Sequence, residues 1–388
     1  VSAVAAAVLV TLLAATLFAL ARDRAGPAGP PTPLPAGLAI QAVTMVSPTE
    51  GWAAGSVTAV PYFSRPAILH YAAGRWSRAP ITLPSALGRQ SGVLTSIAMV
   101  SPTEGWAVGH TVLGHAPGTE VDGWTTGILL HSVGGTWRDA NAAGAPWDAL
   151  NRAGGYQLLS VVLDHAGAPW IIGTDAAGAA LMLRAGTAGW LRVTDPALTG
   201  ITPTAASADP AGGLWLAGVD NGAGSGFEGN APGVVLHFDG RAWTRQPLPD
   251  PRLRITGISP TAAGTVWAVG TLPAAATSSG AAAGHPGAAV VLRGDGGTWT
   301  VAARFTGPHG APNYGLAGVA LAQDGSGWAV GTGGALVHLA GGRWVLVPGP
   351  ANLNLLCVAL VSPGEGWAVG GDGVILRETG GMWRRYGQ

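Results

Sequence analysis

The chain has 388 residues, of which only 10 % are charged, with 20 basic residues balanced by 20 acidic ones. A formal net charge of zero without a basic patch argues against electrostatic binding to nucleic acid or to an anionic membrane surface. The single cysteine, Cys357, excludes an intrachain disulfide framework. Its apolar neighbours indicate a buried thiol rather than a nucleophile.

The N-terminal segment differs from the rest of the chain. Residues 1–20 carry no charge, and twenty helical residues span roughly 30 Å, the thickness of a bilayer's hydrocarbon core. The sequence therefore predicts a transmembrane or signal-anchor helix over residues 1–21, with Ala-Leu-Ala at 19–21 as an alternative signal-peptidase site. Residues 22–37 are a Pro-rich linker with expected polyproline II character. We expect a membrane-anchored or exported protein whose remaining domain, 38–388, is extracytoplasmic.

A repeated tryptophan pattern runs through residues 38–388. The motif MVSPTEGWAVG at 99–109 has near copies at 45–55 and 360–370. Aligning the chain on this motif gives seven first tryptophans, namely Trp52, Trp106, Trp170, Trp215, Trp267, Trp328 and Trp367. Each is followed by a second tryptophan after a Gly-containing turn, namely Trp76, Trp137, Trp190, Trp243, Trp299, Trp344 and Trp383. A unit written seven times is typical of stacked structural repeats rather than of a catalytic motif.

Each repeat predicts four short strands. In the last repeat these are LLCVALV at 355–361, GWAVG, VILR at 374–377 and MWRRY. Alternate residues of a strand share a face, so Trp367 and Val369 of the GWAVG pentad (366–370) point one way. The small residues of the pentad, Gly366, Ala368 and Gly370, point the other way. Seven units of roughly 50 residues predict an all-β, seven-bladed propeller of four-stranded blades, which closes by packing of blade 7 on blade 1.

The combination of SPxxGWAVG, an apolar strand and a Gly-Gly-x-Trp turn resembles the propeller repeats of the photosystem II assembly factor family and the wider BNR or Asp-box class. Only Asp239 and Asp295 keep the acidic residue of the Asp-box turn. The resemblance covers residues 38–388 and implies a propeller. Propellers of this class serve as assembly factors, glycosidases, lectins and sensor domains, so the function is expected to reside in the loops.

Antiparallel strands place the loops between strands 2 and 3, and those between blades, on one side of the ring. The predicted insertions lie there, at 56–66, 110–126, 139–157, 219–232, 271–287 and 303–314. We therefore expect a protein partner to contact this face. The candidate binding residues are His110, His115, Glu120, Asp122, Trp124, Trp147 and Asp148. The two tryptophans outside the repeat pattern, Trp124 and Trp147, either contact a partner or pin long loops to the blades.

Four other groups of residues could in principle form a metal, nucleotide or catalytic site. His70, His131, His237 and His338 occupy equivalent positions on different blades, which favours a repeat consensus over a metal site. The loop 110–126 could bring His110, His115, Glu120 and Asp122 to a metal or ligand. The run at 224–229 matches GxGxxG but has no helix after it. A sialidase-like site would need an arginine cluster, a tyrosine nucleophile and an acidic partner, and the sequence does not indicate such a set.

The sequence thus predicts a monomeric, non-catalytic propeller that acts as a protein-binding or assembly scaffold, with no cofactor, no metal and no nucleic-acid partner. A ligand-sensing or carbohydrate-binding propeller and a divergent sialidase-like glycosidase are the alternatives.

Overall fold

The computed structural model of the protein describes residues 34–387 except 61–62, 85–86, 88–89, 113–124, 142–145, 154, 187–188, 224–230, 274–286, 307–314 and 350–352. The described residues form 29 strands in seven sheets, each sheet built from consecutive strands. The seven-bladed β-propeller is therefore confirmed. The predicted helix at 1–21 and most of the linker at 22–37 lie outside the described residues.

The strands of the first three blades have the following bounds. Blade 1 contains β1 (Leu38–Ser47), β2 (Glu50–Val60), β3 (Phe63–Ala72) and β4 (Arg75–Ala79); blade 2 contains β5 (Ile81–Thr82), β6 (Ser91–Ser101), β7 (Glu104–Val112), β8 (Gly127–Val133) and β9 (Thr136–Asp139); blade 3 contains β10 (Tyr156–Leu163), β11 (Pro169–Asp175), β12 (Ala180–Gly186) and β13 (Gly189–Val193).

The remaining four blades follow the same order. Blade 4 contains β14 (Ile201–Asp209), β15 (Gly213–Asp220), β16 (Gly233–Phe238) and β17 (Trp243–Gln246); blade 5 contains β18 (Arg254–Pro260), β19 (Val266–Leu272), β20 (Ala288–Asp295) and β21 (Thr298–Phe305); blade 6 contains β22 (Leu316–Leu321), β23 (Gly327–Gly331), β24 (Leu336–Ala340) and β25 (Arg343–Val347); blade 7 contains β26 (Leu355–Ser362), β27 (Glu365–Gly370), β28 (Ile375–Thr379) and β29 (Met382–Arg385). A short helix, α1 (Trp147–Arg152), lies between blades 2 and 3.

The hydrophobic core is divided into seven clusters, and each cluster lies between two neighbouring blades. Between blades 6 and 7, Trp328 and Val330 of one blade pack against Ala368, Leu376 and Trp383 of the next. The large side chains of one second strand thus face the small side chains of the next blade's second strand, as the pentad predicts. Both faces of a blade are apolar because each face is buried against a neighbouring blade.

The two tryptophan series meet across these interfaces. At six of the seven interfaces, the first tryptophan of one blade contacts the second tryptophan of the next blade edge to face, with ring centroids 5.4–6.1 Å apart. Between blades 3 and 4, Phe238 replaces this direct contact: it lies 5.7 Å from Trp170 and stacks on Trp243 at 5.2 Å. Edge-to-face pairs add specific attraction to the area that the rings bury.

The ring closes by packing between blade 7 and blade 1, as predicted. Trp367 of blade 7 lies 4.7 Å from Tyr71 and 5.5 Å from Trp76 of blade 1. The hydroxyl of Tyr386 donates to the carbonyl of Gly74 at 3.0 Å and accepts from the backbone N–H of Trp76 at 3.3 Å. The closing interface therefore repeats the tryptophan contact and adds hydrogen bonds between the two ends of the propeller.

The innermost strand of every blade (β6 in blade 2) lies at the centre of the ring and carries a bulged residue near its start. These residues are Gln41, Thr95, Leu159, Thr204, Thr256, Ala317 and Leu356, and they line a central cavity of 240 Å³. Three of them are threonines whose hydroxyls donate to a carbonyl of the next blade at 2.5–3.2 Å. The bulges thus link neighbouring inner strands directly.

The bulge also explains the last glycine of each pentad. In blade 7, a Cβ on Gly370 would overlap the carbonyl oxygen of Asn354, just before the bulged strand, and the equivalent glycine of every other blade meets the same kind of carbonyl. The backbones approach too closely for any side chain at this position.

Three local features differ from the prediction. Blade 2 has five strands, because β5 pairs in parallel with the outer strand β9. The segment 56–66, predicted as a loop, mostly continues the β2–β3 hairpin, since its Val, Thr and Phe residues favour extended pairing. The predicted loop 139–157 contains α1, which at six residues is too short to show a helical period in the sequence.

Within the described parts of the chain, the structure contains no helix that is long and apolar enough to span a membrane.

The inter-blade tryptophans give the first prediction. Trp367→Ala should lower the free energy of unfolding by about 3–5 kcal/mol, because the ring is fully buried between blades 7 and 1 and its removal leaves a cavity. Urea denaturation followed by circular dichroism measures this change. Met382→Ala is the matched control, since that side chain is 58 % exposed in the same blade. Equal stability of both variants would contradict the packing described above.

Candidate binding face

The propeller has two chemically different faces. The tight-turn face carries the turns between strands 1 and 2 and between strands 3 and 4, and each of these turns has at most five residues. The long-loop face carries the connections between strands 2 and 3 and between successive blades.

The tight-turn face is organised by the first tryptophans. In every blade, the residue directly across the strand pair from the first tryptophan is histidine or arginine. The four histidines, His70, His131, His237 and His338, stack on their tryptophans with ring centroids 3.9–4.2 Å apart. The three arginines, Arg184, Arg293 and Arg377, lie 5.4–5.8 Å above theirs. The four histidines therefore serve four separate blades and do not converge.

Acidic residues of the tight turns complete this arrangement. Glu50 pairs with His70 at 2.5 Å between Oε1 and Nε2, and Glu365 pairs with Arg377 at 3.0 Å. Asp209 pairs with His237 at 2.6 Å and also accepts from the indole N–H of Trp215 at 3.2 Å. These pairs hold the histidine or arginine over the first tryptophan and so fix the position of the indole ring. The repeat alignment places the histidines at equivalent positions, but their pairing across the strands with the first tryptophans is seen only in the structure.

The candidate residues on the long-loop face have different outcomes. His115, Glu120, Asp122 and Trp124 lie outside the described residues. His110 is described: it is the last residue of β7 that pairs with β8, it is half-buried, and burial lowers the pKa of its imidazole. Asp148 is exposed in the first turn of α1. Among the described residues, no three or more His, Cys, Asp or Glu side chains are grouped so that they could hold a metal ion.

Trp147 is an anchor for α1 rather than an exposed contact residue. Only 3 % of it is exposed, and its ring lies 5.7 Å from that of Tyr156 and 6.3 Å from that of Trp190. Of the two roles considered for this tryptophan, the structure supports the pinning of a long loop. The reason is that the side chains of Trp147 and Leu150 on α1 are buried against residues of blade 3.

A buried polar cluster lies where β7 and β8 meet the end of β9, and the sequence analysis identified only His110 among its members. Asn141 Nδ2 donates to the carbonyl of Gly127 at 2.8 Å, while Asn141 Oδ1, Asp139 Oδ1 and His110 Nδ1 are buried and have no hydrogen-bond partner among the described residues. Burial raises the pKa of Asp139. Burial, and secondly the charge of Asp139, raise the pKa of Tyr156. The sequence signal was polar residues that directly flank both insertions.

No protein-family model matches the chain, and no curated protein sequence matches it significantly. The architecture does match solved structures. The structure of YCF48 bound to D1 peptide superposes with a TM-score of 0.56 at 16 % sequence identity, covering 90 % of this chain and 95 % of that chain. In fold, this chain is similar to YCF48. The resemblance to the photosystem II assembly factor family is therefore confirmed at the level of the fold.

Two other propellers match equally well. A streptogramin B lyase has a TM-score of 0.56 at 14 % identity and covers 89 % of this chain and 94 % of its own length. PorZ, a surface component of the type-IX secretion system of Porphyromonas gingivalis, has a TM-score of 0.57 at 13 % identity and covers 91 % of this chain and 48 % of its own. At these identities the matches show a shared fold.

Three partly buried histidines predict that the protein is less stable at acid pH. Burial lowers the pKa values of His110, His131 and His338, so the folded state binds fewer protons than the unfolded state below the ordinary histidine pKa of about 6.5. The stability that these groups contribute is complete above that pH and is lost as the pH falls through their lower folded-state values. The free energy of unfolding should therefore decrease from pH 7.5 to 5.0.

His338→Gln should reduce this decrease, because the variant removes one of the groups that must be protonated. His165→Gln is the control, since His165 is exposed on the same face. Urea unfolding at a series of pH values gives both slopes. Identical pH dependence in His338→Gln and the unmodified protein would be inconsistent with a lowered pKa of His338 in the folded state.

Proposed function

We propose that this chain is a membrane-tethered or exported propeller that binds a protein partner through its long-loop face and acts as an assembly scaffold without a catalytic step of its own. The fold hosts both a lyase and a secretion-system component, so the proposal rests on the surface of this chain. The observation that carries it is the contrast between the two faces.

The tight-turn face uses its ionisable groups for its own structure. In every blade, one histidine or arginine of this face lies over the first tryptophan. The same arrangement in all seven blades is what a structural repeat requires. A catalytic site needs a single constellation that breaks the repeat.

The long-loop face breaks the repeat. Its connections differ in length from blade to blade, and it carries α1, the extended β2–β3 hairpin and the partly unsatisfied cluster around Asp139 and Asn141. Loops on a rigid scaffold are the usual place of recognition. A propeller of the same fold, YCF48, has been observed with a bound peptide, which supports a protein ligand here.

The point at which the chain joins the propeller also favours the long-loop face as the binding face. The carbonyl of Gly37 accepts from the backbone N–H of Thr58 at 2.8 Å, at the end of β2 that borders the long-loop face. The apolar residues 1–20 and the Pro-rich linker precede this point in the sequence. A tether that enters here favours a partner at or near the membrane.

Site-specific photocrosslinking in source membranes tests this proposal. A p-benzoylphenylalanine residue would replace Asp148 or Pro249 on the long-loop face, and Thr49 or Thr103 on the tight-turn face, all of which are exposed. We expect one discrete adduct with the same partner from the first two positions and none from the other two, because only the long-loop face contacts the partner. Adducts from the tight-turn positions alone, or from all four equally, would refute the assignment.

A further inference from the structure

A cavity of 410 Å³ opens on the tight-turn face between blades 4 and 5. We call it the blade 4–5 cavity. Its walls come from Trp215 of blade 4, from Trp299 of blade 5 and from the tight turns of blade 5. The structure describes these strands and turns without a gap. A volume of this size is within the range of sites that bind small molecules.

The cavity is present because blade 5 has a glycine at a position that carries a side chain in every other blade. The residue directly across the strand pair from the second tryptophan is, in blades 1 to 7, Tyr71, Ser132, Ala185, Phe238, Gly294, Leu339 and Glu378. The ring of Trp299 lies against the backbone of Gly294, where an added Cβ would be 2.9 Å from the ring. The centroids of Trp299 and Trp215 are 6.1 Å apart, against 5.4–5.5 Å at the other five tryptophan contacts.

The interface between blades 7 and 1 shows which groups occupy this space elsewhere in the ring. There, Tyr71 stands at the position of Gly294, and Tyr386 stands at the position of Gln246, three residues after the second tryptophan. The Tyr386 ring packs edge to face on the first tryptophan of its own blade, Trp367, with centroids 5.5 Å apart. Two tyrosine rings thus fill at the closing interface what glycine and glutamine leave open between blades 4 and 5.

The backbone groups that bind a tyrosine hydroxyl at the closing interface have equivalents in the cavity. The Tyr386 hydroxyl donates to the carbonyl of Gly74 at 3.0 Å and accepts from the N–H of Trp76 at 3.3 Å. Blade 5 has the same two-residue turn, with the same register and both turn residues at positive φ. The equivalent groups are therefore the carbonyl of Gly297 and the N–H of Trp299, and both residues line the cavity.

The polar side chains of the cavity walls already have partners. Asp209 pairs with His237 at 2.6 Å and accepts from the indole N–H of Trp215 at 3.2 Å. Gln246 and Thr261 each donate to a neighbouring threonine. Recognition of a ligand therefore rests on the backbone groups of the blade 5 turn and on contact with the aromatic rings.

We propose that the blade 4–5 cavity binds a small monocyclic phenol. The ring of the ligand packs on Trp215 as Tyr386 packs on Trp367, which removes apolar surface from water and adds an edge-to-face contact. The hydroxyl donates to the carbonyl of Gly297 and accepts from the N–H of Trp299. This site lies on the face opposite the proposed protein-binding face, so it is a separate function of the propeller.

A fluorine NMR titration of 4-fluorophenol into the full chain tests the proposal. We expect saturable binding at one site per chain. Gly294→Leu should weaken binding at least tenfold, because leucine, the residue of blade 6 at this position, fills the cavity. Ala185→Leu adds the same side chain at the equivalent position of blade 3 and should leave the affinity unchanged.

Gln246→Tyr tests the same site from blade 4. The new hydroxyl would take the two backbone groups of the blade 5 turn, as Tyr386 takes those of blade 1, so binding should again weaken at least tenfold. Thermal melting of Gly294→Leu and Gln246→Tyr at or above that of the unmodified protein excludes misfolding as the cause of lost binding.

Two comparison ligands separate the contributions of the ring and the hydroxyl. 4-Fluoroanisole keeps the oxygen but cannot donate a hydrogen bond, and fluorobenzene has no oxygen. Both should bind at least fivefold more weakly than 4-fluorophenol, because a backbone polar group then loses its partner. Any uptake by the apolar residues 1–20 is common to all variants, so the diagnostic quantity is the binding that is lost in Gly294→Leu.

Three outcomes would overturn the proposal: no saturable binding of 4-fluorophenol, equal binding by Gly294→Leu and Ala185→Leu, or equal binding of fluorobenzene. A Gly-Tyr-Gly tripeptide that binds more tightly than 4-fluorophenol would also overturn it and would make the cavity a subsite for a tyrosine of a protein partner.

Discussion

The structure depends on one contact that is repeated around the ring: a tryptophan of one blade packs against the small residues of the next blade's second strand and against its outer tryptophan. Neither side of a four-stranded blade is stable in water by itself, so each blade requires two neighbours. Seven interfaces satisfy this requirement only when blade 7 meets blade 1. There, Trp367 contacts Tyr71 and meets Trp76 edge to face, as five of the other first tryptophans meet the second tryptophan of the next blade.

The polar side chains that support this contact occur at the repeat positions of the blades, apart from the positions that vary between blades. The histidine or arginine above each first tryptophan, and the acid paired with it in several blades, are used to hold the tryptophan. The bulged inner strands use threonine hydroxyls to link neighbouring blades. Both devices occur at repeat positions and serve the ring. The positions that vary between blades, and are therefore free to specialise, lie on the long-loop face.

The repeat made most of the fold predictable, because large and small residues alternate within each pentad and a period near 50 residues gives the blade size. The partner of each tryptophan was not predictable, since it lies in the next blade and no local pattern encodes that contact. Strand β5 has two residues and α1 has six, which is too short for a periodic signal. Trp147 illustrates the same limit: its buried role depends on α1, whereas its place in an insertion indicated only a candidate contact.

A double-mutant cycle tests the inter-blade tryptophan contact most directly. Trp328 of blade 6 meets Trp383 of blade 7 edge to face at 5.4 Å, whereas Trp344 is the second tryptophan of blade 6 itself. Replacing these residues by leucine singly and in pairs, and measuring the free energy of unfolding, should give a coupling energy of about 0.5–1.5 kcal/mol for Trp328 with Trp383. The pair Trp328 and Trp344 should show none. Coupling confined to the pair within blade 6 would contradict the account.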